Sequence, residues 1–174
     1  DALSYMALCQ GLIIDIRNNG GGNLTTAERL AGRFIQEKTL VSYQQHKTGK
    51  GHHDFSALEA RYLEPSSKIR WHKPVCVLTN RSVFSAANDF AVIMHALPHV
   101  KLVGDRTGGG SGLPMSSSLP NGWSVRFSAC PMYDCNKQQT EFGIDPDIPA
   151  ALTDEATAQG IDLIIEKARK VLAE

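Results

Sequence analysis

The sequence predicts an α/β domain whose functional site lies at the carboxyl ends of its strands. Three apolar, strand-like runs carry that expectation: Gly11-Leu-Ile-Ile-Asp-Ile-Arg17, Pro74-Val-Cys-Val-Leu-Thr79 and Val100-Lys-Leu-Val103. The first two run through a loop into helical spacing, and each of the three exits onto glycine or serine. A chain of 174 residues, 42% hydrophobic, is long enough for one well-cored domain. No repeat, low-complexity segment or linker divides it.

In chain order, the spacing of Leu3, Met6, Ala7 and Gln10 predicts a helix over 1–10. After the first strand, Asn18-Asn-Gly-Gly-Gly-Asn23 supplies three consecutive glycines. Such a loop allows positive φ and lets backbone N–H groups converge on a cavity, which suits a phosphate, a carboxylate or an oxyanion equally. It is not a dinucleotide fingerprint, because no glycine follows Gly22 at the required spacing. Leu24, Ala27, Leu30, Ala31, Phe34 and Ile35 then define one face of a helix that starts near Thr25 or Thr26. Lys38 to His46 alternates as a strand, and 47–73 is polar and irregular. His52 and His53 stand in a solvated loop, where adjacent side chains diverge and no third ligand is placed, so the pattern does not specify a metal.

The chain is organised around Asn80-Arg-Ser-Val-Phe-Ser-Ala-Ala-Asn-Asp-Phe90. Ala86, Ala87, Phe90, Ala91, Ile93, Met94 and Leu97 recur at helical spacing until Pro98. Ser82 and Ser85 thus sit where a buried strand becomes a helix, among N–H groups with no partner in that helix. A serine there is either a helix cap or a nucleophile whose oxyanion the turn can stabilise. Further on, Gly104 to Gly112 approaches a nucleotide P-loop, but Gly110 stands where its lysine belongs, which excludes nucleotide hydrolysis. Met115–Leu119 and Trp123–Ala129 flank Pro120-Asn-Gly122 as a hairpin. Glu141–Ile148 reads as a turn-rich connection, and an amphipathic helix from about Asp154 presents Ile161, Ile164, Ile165, Ala168 and Leu172 to the core.

Eighteen basic residues balance eighteen acidic ones without a basic cluster, which argues against a nucleic-acid partner. No apolar run is long enough for a membrane span. Cys9 and Cys76 read as buried small hydrophobes, whereas Cys130-Pro-Met-Tyr-Asp-Cys135 has the spacing of either a small disulfide loop or two free thiols.

Gly11-Leu-Ile-Ile-Asp-Ile-Arg-Asn-Asn-Gly-Gly-Gly22 resembles the strand-and-glycine signature of the carboxyl-terminal processing proteases, peptidase family S41. Val83-Phe-Ser-Ala-Ala-Asn-Asp-Phe-Ala91, Val103-Gly-Asp-Arg-Thr-Gly-Gly-Gly110 and Gly143-Ile-Asp-Pro-Asp-Ile148 resemble its next three motifs in the same order. The resemblance implies a crotonase- and Clp-protease-like core of repeated ββα units, with a β-hairpin region after the third parallel strand. It implies an S41-type catalytic core over 1–174 that lacks upstream N-terminal and PDZ segments, acts on a peptide or protein substrate and needs no cofactor or metal. Carried over, Ser85 is the nucleophile, and the Ala86 N–H with one from Gly20, Gly21 or Gly22 forms the oxyanion hole. The lysine of the processing proteases' dyad falls in register on Gly110. The tricorn-type branch instead uses a histidine from an earlier segment and a glutamate, and Glu141 occupies the glutamate position. His46, His52, His53 and His72 do not match that histidine, which would precede Asp1, so the chain alone is expected to be a poor protease. An extracytoplasmic location also follows from the resemblance. The same fold resembles retinoid-binding modules, so a non-catalytic ligand-binding module, or a degenerate homologue that holds peptide termini, is the alternative.

Overall fold

The computed structural model describes residues 2–174, and Asp1 of the expected first helix lies outside them. Helix α1 (Ala2–Tyr5) leads to β1 (Leu12–Asp15), α2 (Leu24–Ala31), β2 (Thr39–Gln44), β3 (Glu59–Leu63) and β4 (Val75–Thr79). Then come α3 (Ala86–His95), β5 (Val100–Gly104), β6 (Met115–Ser118), β7 (Ser124–Phe127), β8 (Met132–Asp134), β9 (Ile148–Pro149), α4 (Asp154–Ala158) and α5 (Leu163–Val171).

The expected α/β architecture is present. Strands β1, β4, β5 and β9 form a parallel sheet in the order β1-β4-β5-β9. Strand β4 is buried along its whole length because both faces of this sheet are covered, which is why its sequence is a continuous apolar run. Val75 and Val77 join α2 and α3 in the main core, while Cys76 and Leu78 pack with Ile164 and Ala168 of α5 on the opposite face. A second, antiparallel sheet (β3-β2-β8) lies across α3, and β6–β7 pair only with each other as the expected hairpin.

Several expectations need correction. The opening helix stops at Tyr5, with Tyr5 and Leu8 almost fully exposed, and Cys9 is exposed rather than buried. Helix α2 ends at Ala31, so Phe34 and Ile35 enter the core from the turn after it, and Leu30 points outward. Strand β3 lies inside the segment expected to be irregular, and β8 and β9 have no counterpart among the expected strands. The terminal helix is two helices, broken at Gly160 with φ +73°. Cys130 and Cys135 are both free. The Cys130 thiol instead donates to the Gln45 carbonyl at 2.8 Å and lies 3.3 Å from His46 Nδ1.

Candidate active site

The carboxyl ends of β1 and β4 face each other across one hydrogen-bonded seam. Asn80 Oδ1 accepts from Asn18 N–H at 3.1 Å, and Asn80 Nδ2 donates to Asn18 Oδ1 at 2.9 Å. Asn80 Oδ1 also accepts from Ser82 N–H, and Phe84 N–H donates to Asn19 C=O at 3.0 Å. The glycine loop is thereby fastened to the turn that carries Ser85.

Ser85 occupies the turn between β4 and α3 with φ 56° and ψ −129°, a backbone region that non-glycine residues rarely adopt. It stands at the N-cap position, yet its side chain makes no capping hydrogen bond. The capping role open from the sequence is therefore not the one Ser85 plays. Its own N–H donates to Gly109 C=O at 2.8 Å, which fixes the turn against the loop after β5. The next N–H, that of Ala86, has no acceptor among the described residues, as expected in the first turn of a helix.

The three glycines differ in where they lie. Gly21 has φ +101°, and a Cβ there would stand 2.7 Å from Ser85 Cβ and 2.9 Å from Ala86 N, so only glycine lets the loop approach the turn. Its N–H is already donated to Asn19 Oδ1 at 3.0 Å. Gly22 lines a cavity of about 320 Å³ together with Ser85, Ala86, Asp89 and Ser111. Gly20 does not line that cavity.

Glu141 and Ser85 line a neighbouring cavity of about 240 Å³ with Phe84, Phe127 and Ser128. The Glu141 carboxylate accepts from Ser128 Oγ at 2.6 Å, and its backbone C=O accepts from Gly110 N–H at 2.8 Å. At Gly110 (φ +78°) an added Cβ would run into the ring of Phe84. The position of the dyad lysine is thus filled by a neighbour's aromatic ring. No lysine or histidine among the described residues hydrogen-bonds the Ser85 side chain. His46 Nε2 is 3.2 Å from Glu59 Oε2, His52 and His53 pack edge to face on each other, and His72 is exposed.

Below the site runs a buried polar network that the sequence pattern does not reveal. Thr107 Oγ1 donates to Asn88 Oδ1 at 2.5 Å and accepts from Ile144 N–H at 2.8 Å, while Asn88 Nδ2 donates to Ser111 Oγ at 2.6 Å. This ties α3 to the loops bearing Gly110 and Glu141. Asp89 is a second residue of the site absent from the sequence-based expectations. Burial pushes its carboxyl up to about 6, and the nearby Arg61 charge and a hydrogen bond from Ser111 only partly offset that. Its polar character beside the apolar run Phe90-Ala-Val-Ile-Met94 is the available signal.

The Peptidase family S41 model matches residues 1–150. The chain belongs to peptidase family S41. It is 26% identical over 154 residues to the carboxy-terminal processing protease CtpA of Bacillus subtilis, covering 88% of this chain and 31% of CtpA. The crystal structure of a candidate peptidase from Parabacteroides merdae superposes with a TM-score of 0.95 at 55% identity, over 99% of this chain and 55% of that one. Mature CPAF complexed with lactacystin shares the fold, with a TM-score of 0.83 at 16% identity over 98% of this chain and 44% of that one. This S41 chain therefore spans between just under a third and just over half the length of these relatives. No helix among the described residues is long and apolar enough to cross a membrane.

Proposed function

We propose that this S41 chain carries the nucleophile and oxyanion hole of a tricorn-like serine endopeptidase, with Ser85 attacking the scissile carbonyl of a peptide or protein substrate. The observation that carries the reading is the Ser85 turn: a strained backbone, a hydroxyl not spent on capping, and the free Ala86 N–H beside it. Attack would place the new oxyanion between Ala86 N–H and a glycine-loop N–H, for which Gly22 is better suited than Gly21, whose N–H is taken, or Gly20. The acyl-enzyme formed at Ser85 is then hydrolysed by water.

A serine hydroxyl needs a base to take its proton. Gly110 supplies no dyad lysine, and the Phe84 ring lies against it, so the base is assigned to a histidine outside these 174 residues, with Glu141 orienting the constellation from the position where Ser128 holds it. General-base assistance is worth roughly 10²–10⁴ in rate. The chain alone should thus turn over a peptide poorly, and a longer protein containing it should do so well. An extracytoplasmic location remains part of the reading, supported by the family resemblance.

The test is peptide cleavage by the longer protein, wild type against Ser85→Ala. Loss of turnover with an unchanged fold is expected. Retained cleavage would remove Ser85 from the mechanism. A chain that binds peptide but never cleaves it in any length would favour the binding-module alternative.

A further inference from the structure

Two cavities meet at Ser85, and they differ in chemistry. Ser85, Gly110, Pro114 and Arg126 border both. One side adds Glu141, Ser128 and the rings of Phe84 and Phe127. The other adds Asp89 and Ser111, beside Ala86 and Gly22. On the serine-peptidase reading, the groups that return a proton to the departing amine stand on the leaving-group side, which is the Glu141 side. The Asp89 cavity then receives the side chain on the acyl side of the scissile bond.

Asp89 is 6% exposed, one turn along α3 from Ser85. Among the described residues its carboxylate forms no salt bridge. The Arg61 charge acts on it, but Arg61 Nη2 is 2.6 Å from Glu28 Oε1 and Arg61 Nη1 donates to Ser42 Oγ at 3.1 Å, so the guanidinium is shared with those partners. Of the groups packed around it, Arg61, Glu28 and Asp89 together carry one surplus negative charge when ionised, which only Arg126 at the cavity rim is left to offset. A buried charge in that state is costly unless a cation or a proton joins it. Arg126 borders the cavity from the exposed hairpin, where solvent and salt screen it. The cavity, at about 320 Å³, is of a size that accepts a long side chain.

We propose that Asp89 is a specificity-determining residue that selects a lysine or arginine side chain on the acyl side of the scissile bond. This rests on the serine-peptidase reading of the same site. The groups facing Asp89 are Arg61 from β3, Glu28 from α2, Ser111 from the loop after β5 and Arg126 from β7. With its carboxyl raised to about 6, the site is anionic at neutral pH and neutral at pH 5, so the selection weakens in acid.

The experiment measures binding rather than turnover. Two fluorescent peptides differing only in lysine against norleucine at one position are titrated onto the Ser85→Ala chain, and onto Ser85→Ala with Asp89→Asn. At pH 7.5 the lysine peptide should bind at least about tenfold tighter to Ser85→Ala. That ratio should fall towards one at pH 5, and in the double variant it should be near one at both pH values. Norleucine binding as well as lysine, a lysine preference that survives Asp89→Asn, or no binding of either peptide would each overturn the proposal. If the double variant fails to fold, the lysine-to-norleucine ratio and its pH dependence in Ser85→Ala still decide it. Serine-dependent peptide cleavage by the longer protein containing this chain, measured separately, shows whether the serine-peptidase reading stands when this one fails.

Discussion

Thr107→Val removes one buried hydroxyl while changing side-chain volume very little. In the native chain Thr107 is fully buried, and its hydroxyl serves two partners, Asn88 Oδ1 at 2.5 Å and Ile144 N–H at 2.8 Å. Valine leaves both without a partner, and Asn88 is also fully buried. An orphaned buried polar group costs roughly 1–3 kcal/mol, so the pair should cost about 2–6 kcal/mol. For a domain of this size each kcal/mol is worth about 2–4 °C, which places the fall in melting temperature at roughly 4–24 °C. Thr107→Ser keeps the hydroxyl and loses only a methyl, at about 1 kcal/mol or less. Thermal unfolding followed by circular dichroism distinguishes the two. Valine as stable as wild type, or serine worse than valine, would refute the claim that this network holds the Gly110 and Glu141 loops against α3.

Three further outcomes follow from particular contacts. Gly110→Lys on its own should destabilise the chain and restore no dyad, because position 110 has φ +78° and its Cβ meets the Phe84 ring; denaturant unfolding and a peptidase assay check both points. The Asp89 carboxyl is raised to about 6 in the folded chain from 3.8, so the folded state binds its proton more tightly and stability is lost as pH rises through that window. Asp89→Asn should therefore gain on wild type between pH 4 and pH 7 by on the order of 2 kcal/mol, read from denaturant melts at the two pH values. Among the thiols, exposed Cys9 should react promptly with a disulfide reagent, while Cys76, fully buried and pushed up to about 11, should react only on unfolding.

Much of the fold is legible in the sequence because β4, covered on both faces, is an unbroken apolar run, and β1 and β5 beside it are largely apolar. What escapes is governed by contacts from elsewhere in the chain. Strand β3 is a polar edge whose pairing with β2 and whose Arg61–Glu28 ion pair are tertiary. Strand β9 has two residues and exists only because β5 offers it an edge. At the site, the Ser85 turn and the approach of the glycine loop follow from strand-to-helix chemistry. The difference between Gly20, Gly21 and Gly22 does not, since it depends on the Asn19 side chain and on Ser85 Cβ. The sequence shows that position 110 lacks a lysine, but the Phe84 ring lying against Gly110 is visible only in three dimensions. Asp89 is faint in the sequence, since one acidic residue beside an apolar run signals a buried charge but not the cavity it faces.

The most direct test of the central claim is the structure of the chain soaked with a peptide boronic acid, which forms a tetrahedral adduct on a serine nucleophile. The account predicts boron bonded to Ser85 Oγ, with one boron oxygen about 2.7–3.1 Å from both Ala86 N and Gly22 N. An adduct on Ser82, or one on Ser85 whose oxygens face away from those two N–H groups, would contradict it. So would a longer protein containing this chain that takes up no boronate at all.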